Sequence, residues 1–184
     1  MKNGKFITGG RWVPPSDYDP RNRVWYNDAV NANETVFSRV YIDRETGLQL
    51  VTISSPLYLD GEFVGVISAD VFINDILKFL KNRLKNKESY AVLLDNNGNI
   101  IINTRDKTLN NKSIYKIGTN IMIDHFENVK LNKKTMKIKY SFDDKNILGM
   151  TKKVPEIKWY LLIALDRNEI NYNLNDYTIF FITT

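Results

Sequence analysis

Along this chain apolar residues recur mostly at alternate positions or in short unbroken runs, and only once at a clear helical spacing. Residues 56–59 and 62–68 are apolar and β-branched flanks around Asp60-Gly61. An Asp-Gly pair favours a two-residue hairpin turn, because glycine takes positive φ without steric cost. A second hairpin is expected over residues 90–102, turning from Asp95 to Gly98. A third, weaker one runs from Met136 through Tyr140, turns near residues 143–146 and returns through Leu148 and Met150. Residues 35–41 and 48–54 form another expected strand pair, around a turn from Asp43 to Gly47. The opening residues 1–7 also have the pattern of a hairpin arm. Residues 159–165 are apolar at consecutive positions, so that strand is expected to be covered on both faces and central in its sheet.

The helical spacing is carried by Ile73, Ile76, Leu77, Leu80 and Leu84, at i, i+3, i+4, i+7 and i+11. It predicts a helix over residues 71–85. Shorter helices are expected over 25–32, 120–129 and 166–175. The order is therefore strands, helix, strands. Each half is too short for a sandwich and fits a small antiparallel sheet with helices packed on it, an α+β arrangement.

Composition narrows the chemistry. With 43 % apolar and 12 % aromatic residues, the 184-residue chain can pack a core. The absence of cysteine excludes disulfides, thiolate metal sites and cysteine nucleophiles. The net charge is +5, and the lysines at 130, 133, 134, 137 and 139 are expected to form a solvated face. No nucleic-acid-binding signature accompanies them, so no nucleic-acid partner is expected. One histidine, His125, and no metal-ligand cluster leave little acid–base machinery. Asp95 to Gly98 lacks the remaining ligands of a calcium loop. The expectation is a binding protein rather than an enzyme, with no catalytic residues, metal or cofactor. No apolar stretch reaches the ~18 residues of a membrane span, and no signal peptide opens the sequence. Residues 177–184 are apolar and fit a strand, a core segment or the first turns of a membrane helix.

The most informative stretch is Asp17-Tyr-Asp-Pro-Arg-Asn-Arg-Val-Trp-Tyr26. Arginine offers a planar fork that fits a carboxylate, and tryptophan and tyrosine offer apolar planes with a polar tip. Dense recognition side chains on a proline-containing loop suit binding. On the residues alone an equal alternative stands, in which Trp25 and Tyr26 pack in a core and Arg23 merely covers it.

The run Tyr18-Asp-Pro-Arg-Asn-Arg-Val-Trp-Tyr26 resembles the signature of double-Cache sensor domains, the extracytoplasmic ligand-binding parts of bacterial chemoreceptors and sensor kinases. Residues 37–43, Thr46-Gly47, residues 51–58 and the segment from Gly61 to Asp70 follow the family pattern in order. The likeness is strong over 1–76 and loose over 88–168. Val24 stands where the family often has proline, which alters loop stiffness more than pocket chemistry.

The resemblance implies two PAS-like Cache subdomains. The membrane-distal, ligand-binding one would span 1–76, a connecting helix 77–87 and the membrane-proximal one 88–168, with 169–184 leading towards a membrane helix. The family's long first helix is expected upstream of residue 1, which makes the sequence a fragment of a membrane-anchored receptor, homodimeric when complete. The resemblance further implies a free L-amino acid as ligand. Tyr18, Arg23 and Trp25 would hold its carboxylate, and Tyr26 and Asp70 its ammonium. Tyr41 and Asp43 would lie nearby, against the ammonium or the side chain. A zwitterion's two close charges require a cationic fork and an anion at short range, which Arg23 and Asp70 supply. Asp70 has a structural alternative as the cap of the helix that follows it. The same fold sensing an amine, a purine or a carboxylate, or serving as a ligand-free interaction module, stays open.

Overall fold

The structure, a computed structural model, describes residues 4–10, 12–84, 89–132, 134–142 and 145–166. The chain divides into two compact units, Met1–Ile76 and Leu77–Thr184. Each is built on its own antiparallel sheet with helices, so the α+β expectation is met.

In the first unit a 3₁₀ turn, Pro20–Asn22, leads into helix α1, Val24–Ala32. Four strands follow: β1 Val36–Phe37, β2 Tyr41–Ile42, β3 Gln49–Leu59 and β4 Glu62–Phe72. The long β3–β4 hairpin turns at Asp60 and Gly61, whose φ values of 51° and 83° are both left-handed. Two consecutive left-handed residues let the right-handed twist of both strands continue through the turn. Since β4 runs along one edge of β3, β1 and β2 lie along the other, as an interrupted strand. The single strand expected over 35–41 is broken at Ser38, and the cause is chemical. Ser38 donates its N–H to the Thr52 carbonyl (2.9 Å), and its hydroxyl accepts the Thr52 N–H (2.9 Å). A side chain thus replaces one rung of the ladder and bends the strand there. The strand expected in residues 1–7 does not form among residues 4–10. Phe6 instead packs edge-on against Trp12 and Tyr18.

Helix α2, Ile73–Arg83, carries the chain out of the first unit. It starts two residues later than its apolar spacing predicts, because β4 keeps its pairing with β3 as far as Phe72. The second unit has five strands in the order β6-β5-β9-β8-β7, with β5 Tyr90–Leu94, β6 Ile100–Asn103, β7 Met136–Phe142, β8 Lys145–Val154 and β9 Trp159–Asp166. The doubly apolar β9 sits at the centre, as its pattern requires. Helices α3, Ile114–Ile117, and α4, Asn120–Leu131, precede β7, and Phe126 and Val129 of α4 enter the core with Tyr90, Tyr140 and Tyr160. Asp166, where a helix over 166–175 is expected, still belongs to β9, and the rest of that helix and the segment 169–184 lie outside the described residues, as does the tip of the third hairpin. Among the described residues no helix is long and apolar enough to cross a membrane.

Candidate functional site

The loop that carries the dense recognition residues is held from within. Asp19 accepts the Arg21 N–H (2.9 Å) and pairs with its guanidinium (2.6 Å). Arg21 therefore braces the 3₁₀ turn from outside. Arg23 then takes an extended conformation, φ −95° and ψ 147°, immediately before α1. That is the region adopted before proline, so valine at position 24 keeps the geometry that a proline would impose. Val24 is the first helical residue, where an N–H lacks an intrahelical partner in any case. The helix is pinned to the sheet by the buried Ser54 hydroxyl, which donates to the Trp25 carbonyl (2.7 Å).

This arrangement places Tyr18, Arg23 and Trp25 on the wall of a cavity of about 80 Å³. The sheet supplies the opposite wall, with Tyr41 and Asp43 from β2 and the turn after it, and Ser68 and Asp70 from β4. Six of the seven residues singled out from the sequence (Tyr18, Arg23, Trp25, Tyr41, Asp43 and Asp70) therefore share one cavity. Tyr26 does not line it. Successive helical residues point about 100° apart, and Tyr26 is buried beside Trp25, its ring centroid 5.8 Å away.

Sequence reasoning missed the cover. Phe6, Thr8 and Trp12 also line the cavity, and Trp12 meets Tyr18 at 4.9 Å between centroids. Arg44 and Glu45 stand at its rim. Arg44 bonds Asp17 at 2.8 Å, which ties the recognition loop to the turn between β2 and β3. The signal for the cover was two aromatic residues in a polar opening segment, which looks the same as a strand.

The electrostatics are asymmetric. Among the described residues the Arg23 guanidinium makes no hydrogen bond or ion pair, and it lies 5.8 Å from the Tyr18 ring centroid. Burial raises the Tyr18 hydroxyl above its usual range, with Arg23 and the Trp25 side chain pulling the other way. Asp70 lies inside β4, directly opposite Thr52, and accepts the Thr52 hydroxyl at 2.7 Å. It is three residues before α2, so it is a strand residue rather than a helix cap. Burial pushes the Tyr41 hydroxyl up to about 12. For Asp43 burial alone would raise the carboxyl. The Thr46 hydroxyl and N–H, at 2.7 and 2.8 Å, and the N–H groups of Glu45 and Arg44 together hold it below the usual range. Asp43 is thus both a cavity residue and the internal anchor of its turn. His125 is in the other unit, its Nε2 2.8 Å from the Thr151 hydroxyl. Among the described residues no three His, Asp or Glu gather as metal ligands.

Comparison with known proteins identifies the family and the fold. The Cache-domain family, in its double-Cache form, matches residues 2–174. The chain is 30 % identical over 172 residues to the methyl-accepting chemotaxis protein McpA of Pseudomonas putida, covering 91 % of this chain and 25 % of McpA. It is 26 % identical to the methyl-accepting chemotaxis protein PctB of Pseudomonas aeruginosa, covering 84 % of this chain and 24 % of PctB. The chain thus spans about a quarter of the length of these relatives. Among solved structures, the ligand-binding domain of PctB in complex with L-Gln superposes with a TM-score of 0.71 at 21 % identity, covering 100 % of this chain and 74 % of that one. That of the Pseudomonas fluorescens chemoreceptor CtaA with L-serine gives 0.70 at 24 %, covering 91 % and 70 %. At these identities the structural likeness speaks for the fold.

Proposed function

This chain belongs to the Cache-domain family, and we propose that it is the extracytoplasmic sensing part of a membrane receptor and binds a free L-amino acid in the cavity of its first unit. One observation carries the reading. A guanidinium and a carboxylate, Arg23 and Asp70, line one small cavity, and neither is in an ion pair among the described residues. Opposite charges gathered at one site and left uncompensated by each other suit a ligand that carries both charges. Arg23, with the Trp25 indole N–H and the Tyr18 hydroxyl, takes the carboxylate, and Asp70 with Tyr41 takes the ammonium. Asp43 lies beside them, and Tyr26 supports Trp25 from behind the wall.

The volume suits the assignment. A space of about 80 Å³ corresponds to roughly half a dozen waters at ~10–15 Å³ each. That accommodates the zwitterionic head and a few side-chain atoms, and a longer side chain leaves past the exposed rim at Arg44 and Glu45. The site binds rather than reacts: the chain's one histidine is in the other unit, bonded to Thr151. The chemotaxis-protein relatives, of which the chain spans about a quarter, support a longer receptor that also holds a membrane anchor and an output domain, and the homodimer is what the family resemblance implies.

The test is a thermal-shift screen of the twenty L-amino acids beside amines, purines and simple carboxylates, followed by calorimetric titration. A ligand at ~100 times its dissociation constant stabilises the protein by about 2.7 kcal/mol. Stabilisation by an amine or a carboxylate alone, with none by any amino acid, removes the zwitterion from the reading. Stabilisation by nothing leaves the domain as an interaction module.

A further inference from the structure

Thr52 is fully buried in β3 and does not line the cavity, yet it touches two of the polar side chains on its sheet side, Tyr41 and Asp70. Its hydroxyl donates to Asp70 Oδ1 at 2.7 Å and lies 2.6 Å from the Tyr41 hydroxyl. A threonine hydroxyl has one proton. With that proton given to the carboxylate, the Tyr41 hydroxyl must be the donor in the second bond. The direction of the chain of bonds is therefore set: Tyr41 O–H to Thr52 O–H to Asp70.

The geometry points to Thr52 as a positioning residue that sets the hydrogen-bond polarity of the ammonium end of the site. This inference rests on the amino-acid reading. Tyr41 is held neutral by burial, and its single proton is directed away from the cavity into the sheet. It can then offer the cavity only lone pairs. Asp70 offers Oδ2, to which nothing is bonded among the described residues. Both groups accept and neither donates. An ammonium, with three protons to give and no lone pair, matches such a wall. A hydroxyl in the same place has only one proton to give, and its lone pairs meet no donor from Tyr41 or Asp70.

The sequence equips Thr52 for this in two ways. It stands directly opposite Asp70 in the β3–β4 register and diagonally from Tyr41, which pairs with Leu50. A diagonal neighbour across antiparallel strands is within reach of a long side chain such as tyrosine. Its backbone is locked by Ser38, which accepts its N–H and donates to its carbonyl, while the Ser38 hydroxyl itself donates to the Arg39 carbonyl at 2.9 Å. Every polar group of Thr52 is thereby engaged, and its χ1 has no competing partner. The break in the strand at Ser38 is what allows Tyr41 to approach from the far edge of β3.

The experiment compares Thr52→Val and Thr52→Ser with wild type in the full chain. Each is titrated with the L-amino acid that stabilises wild type most and with that acid's 2-hydroxy analogue, L-alanine and L-lactate being one such pair. Valine preserves shape and removes the hydroxyl. Without Thr52 the Tyr41 proton is free to turn into the cavity, and Asp70 loses an oriented donor. Affinity for the amino acid should fall roughly tenfold to a hundredfold, the effect of one hydrogen bond to a charged group. Affinity for the hydroxy acid should fall less, so that the ratio between the two narrows, and serine should restore both the affinity and the ratio. Wild-type affinity in Thr52→Val, or an equal loss for both ligands without rescue by serine, overturns the assignment. If Thr52→Val does not fold, NMR on wild type decides instead. The Thr52 and Tyr41 hydroxyl protons should appear as slowly exchanging resonances, and rapid exchange of both sinks the relay. If wild-type protein binds no amino acid at all, the amino-acid reading itself fails and takes this role with it.

Discussion

Replacing Arg23 by alanine tests the carboxylate end of the site, and the neighbouring Arg21 provides the control. Arg23 is half-buried on the cavity wall, stacked 5.8 Å from the Tyr18 ring centroid, with no ion pair among the described residues. Truncating one partner of a buried charge contact costs about 2–5 kcal/mol. Partial exposure places Arg23 in the lower part of that range, about 2–3 kcal/mol, or roughly 30- to 150-fold in affinity. At a ligand concentration ~100 times the wild-type dissociation constant, wild type gains about 2.7 kcal/mol, whereas a variant weakened ~100-fold gains only about 0.4 kcal/mol. The thermal shift should therefore almost vanish. The ligand-free melting temperature should hardly move, since no ion pair is broken. Arg21 differs in each respect. Its side chain is 49 % exposed and its carboxylate partner, Asp19, is two residues away. A surface pair of this kind contributes about 0–1 kcal/mol, so Arg21→Ala should lower stability slightly and affinity less than about fivefold. Arg23→Lys should also bind poorly, because an ammonium cannot reproduce the two-pronged contact of a guanidinium. Calorimetric titration of the three variants, with circular dichroism to establish folding, decides the matter. Wild-type affinity in folded Arg23→Ala refutes the carboxylate clamp. Equal losses at Arg21 and Arg23 mean that loop disruption, not a specific contact, is being measured.

Asp70→Asn keeps a side-chain oxygen for the Thr52 hydroxyl but removes the charge, so titration should show amino-acid affinity lowered by about tenfold or more while the ligand-free melting temperature stays close to wild type. Gly61→Ala forces a side chain into the left-handed region at φ 83° and should lower stability by about 1 kcal/mol in urea unfolding, whereas Gly61→Asn should be milder because asparagine tolerates that conformation. Burial lowers the His125 pKa from 6.5. A base whose folded pKa is depressed contributes stability above its unfolded value and loses it as pH falls, so melting temperature should drop on acidification below about 6.5, and His125→Gln should flatten that part of the profile. An unchanged slope in His125→Gln would assign the acid sensitivity to other groups.

The elements legible in the sequence were those whose signal is local. The stripe from Ile73 to Leu84 and the Asp60-Gly61 turn each need only their own neighbours to be recognised, and β9 declared its central place by being apolar on both faces. The failures are places where a distant partner overrides the local pattern. Residues 35–41 alternate like one strand, but the Ser38 hydroxyl substitutes for a backbone rung supplied by Thr52, fourteen positions away. Phe6 falls in a segment that looks like a hairpin arm, and only its packing with Trp12 and Tyr18 turns it into part of a cover. Tyr26 belongs to the same short run as Trp25, yet it is buried beside it and is not among the residues lining the cavity, a placement a linear motif does not express. Thr52 was the least visible of all. Between Val51 and Ile53 it looks like an ordinary β-branched core residue, and its role exists only through its position opposite Asp70 and diagonal to Tyr41.

The two ends of the cavity are made from material of different stiffness, and that difference constrains how ligand and protein act on each other. The acceptor end is mounted on β3 and β4, whose backbone pairs run without a gap from Leu50 to Leu57 and from Gly65 to Phe72. Tyr41, Thr52 and Asp70 are further tied to one another by hydroxyl bonds. The donor end is mounted on a 3₁₀ turn and the first turn of a nine-residue helix, held to the sheet by the Ser54 bond to Trp25 and to the turn before β3 by the exposed Asp17–Arg44 pair. A ligand bridging Arg23 and Asp70 therefore ties the loop ahead of α1, whose Trp25, Tyr26 and Ala29 are buried, to the hydrogen-bonded sheet. The ordering cost of that step falls on the loop, so the Asp17–Arg44 pair, which holds that loop to the turn before β3, acts on affinity through the pre-arrangement of Arg23. Asp70 is the opposite case: it sits on the strand that runs directly into α2, which leads out of the first unit. With Ser68 it is one of two cavity residues on that strand, and it is the one that Thr52 orients.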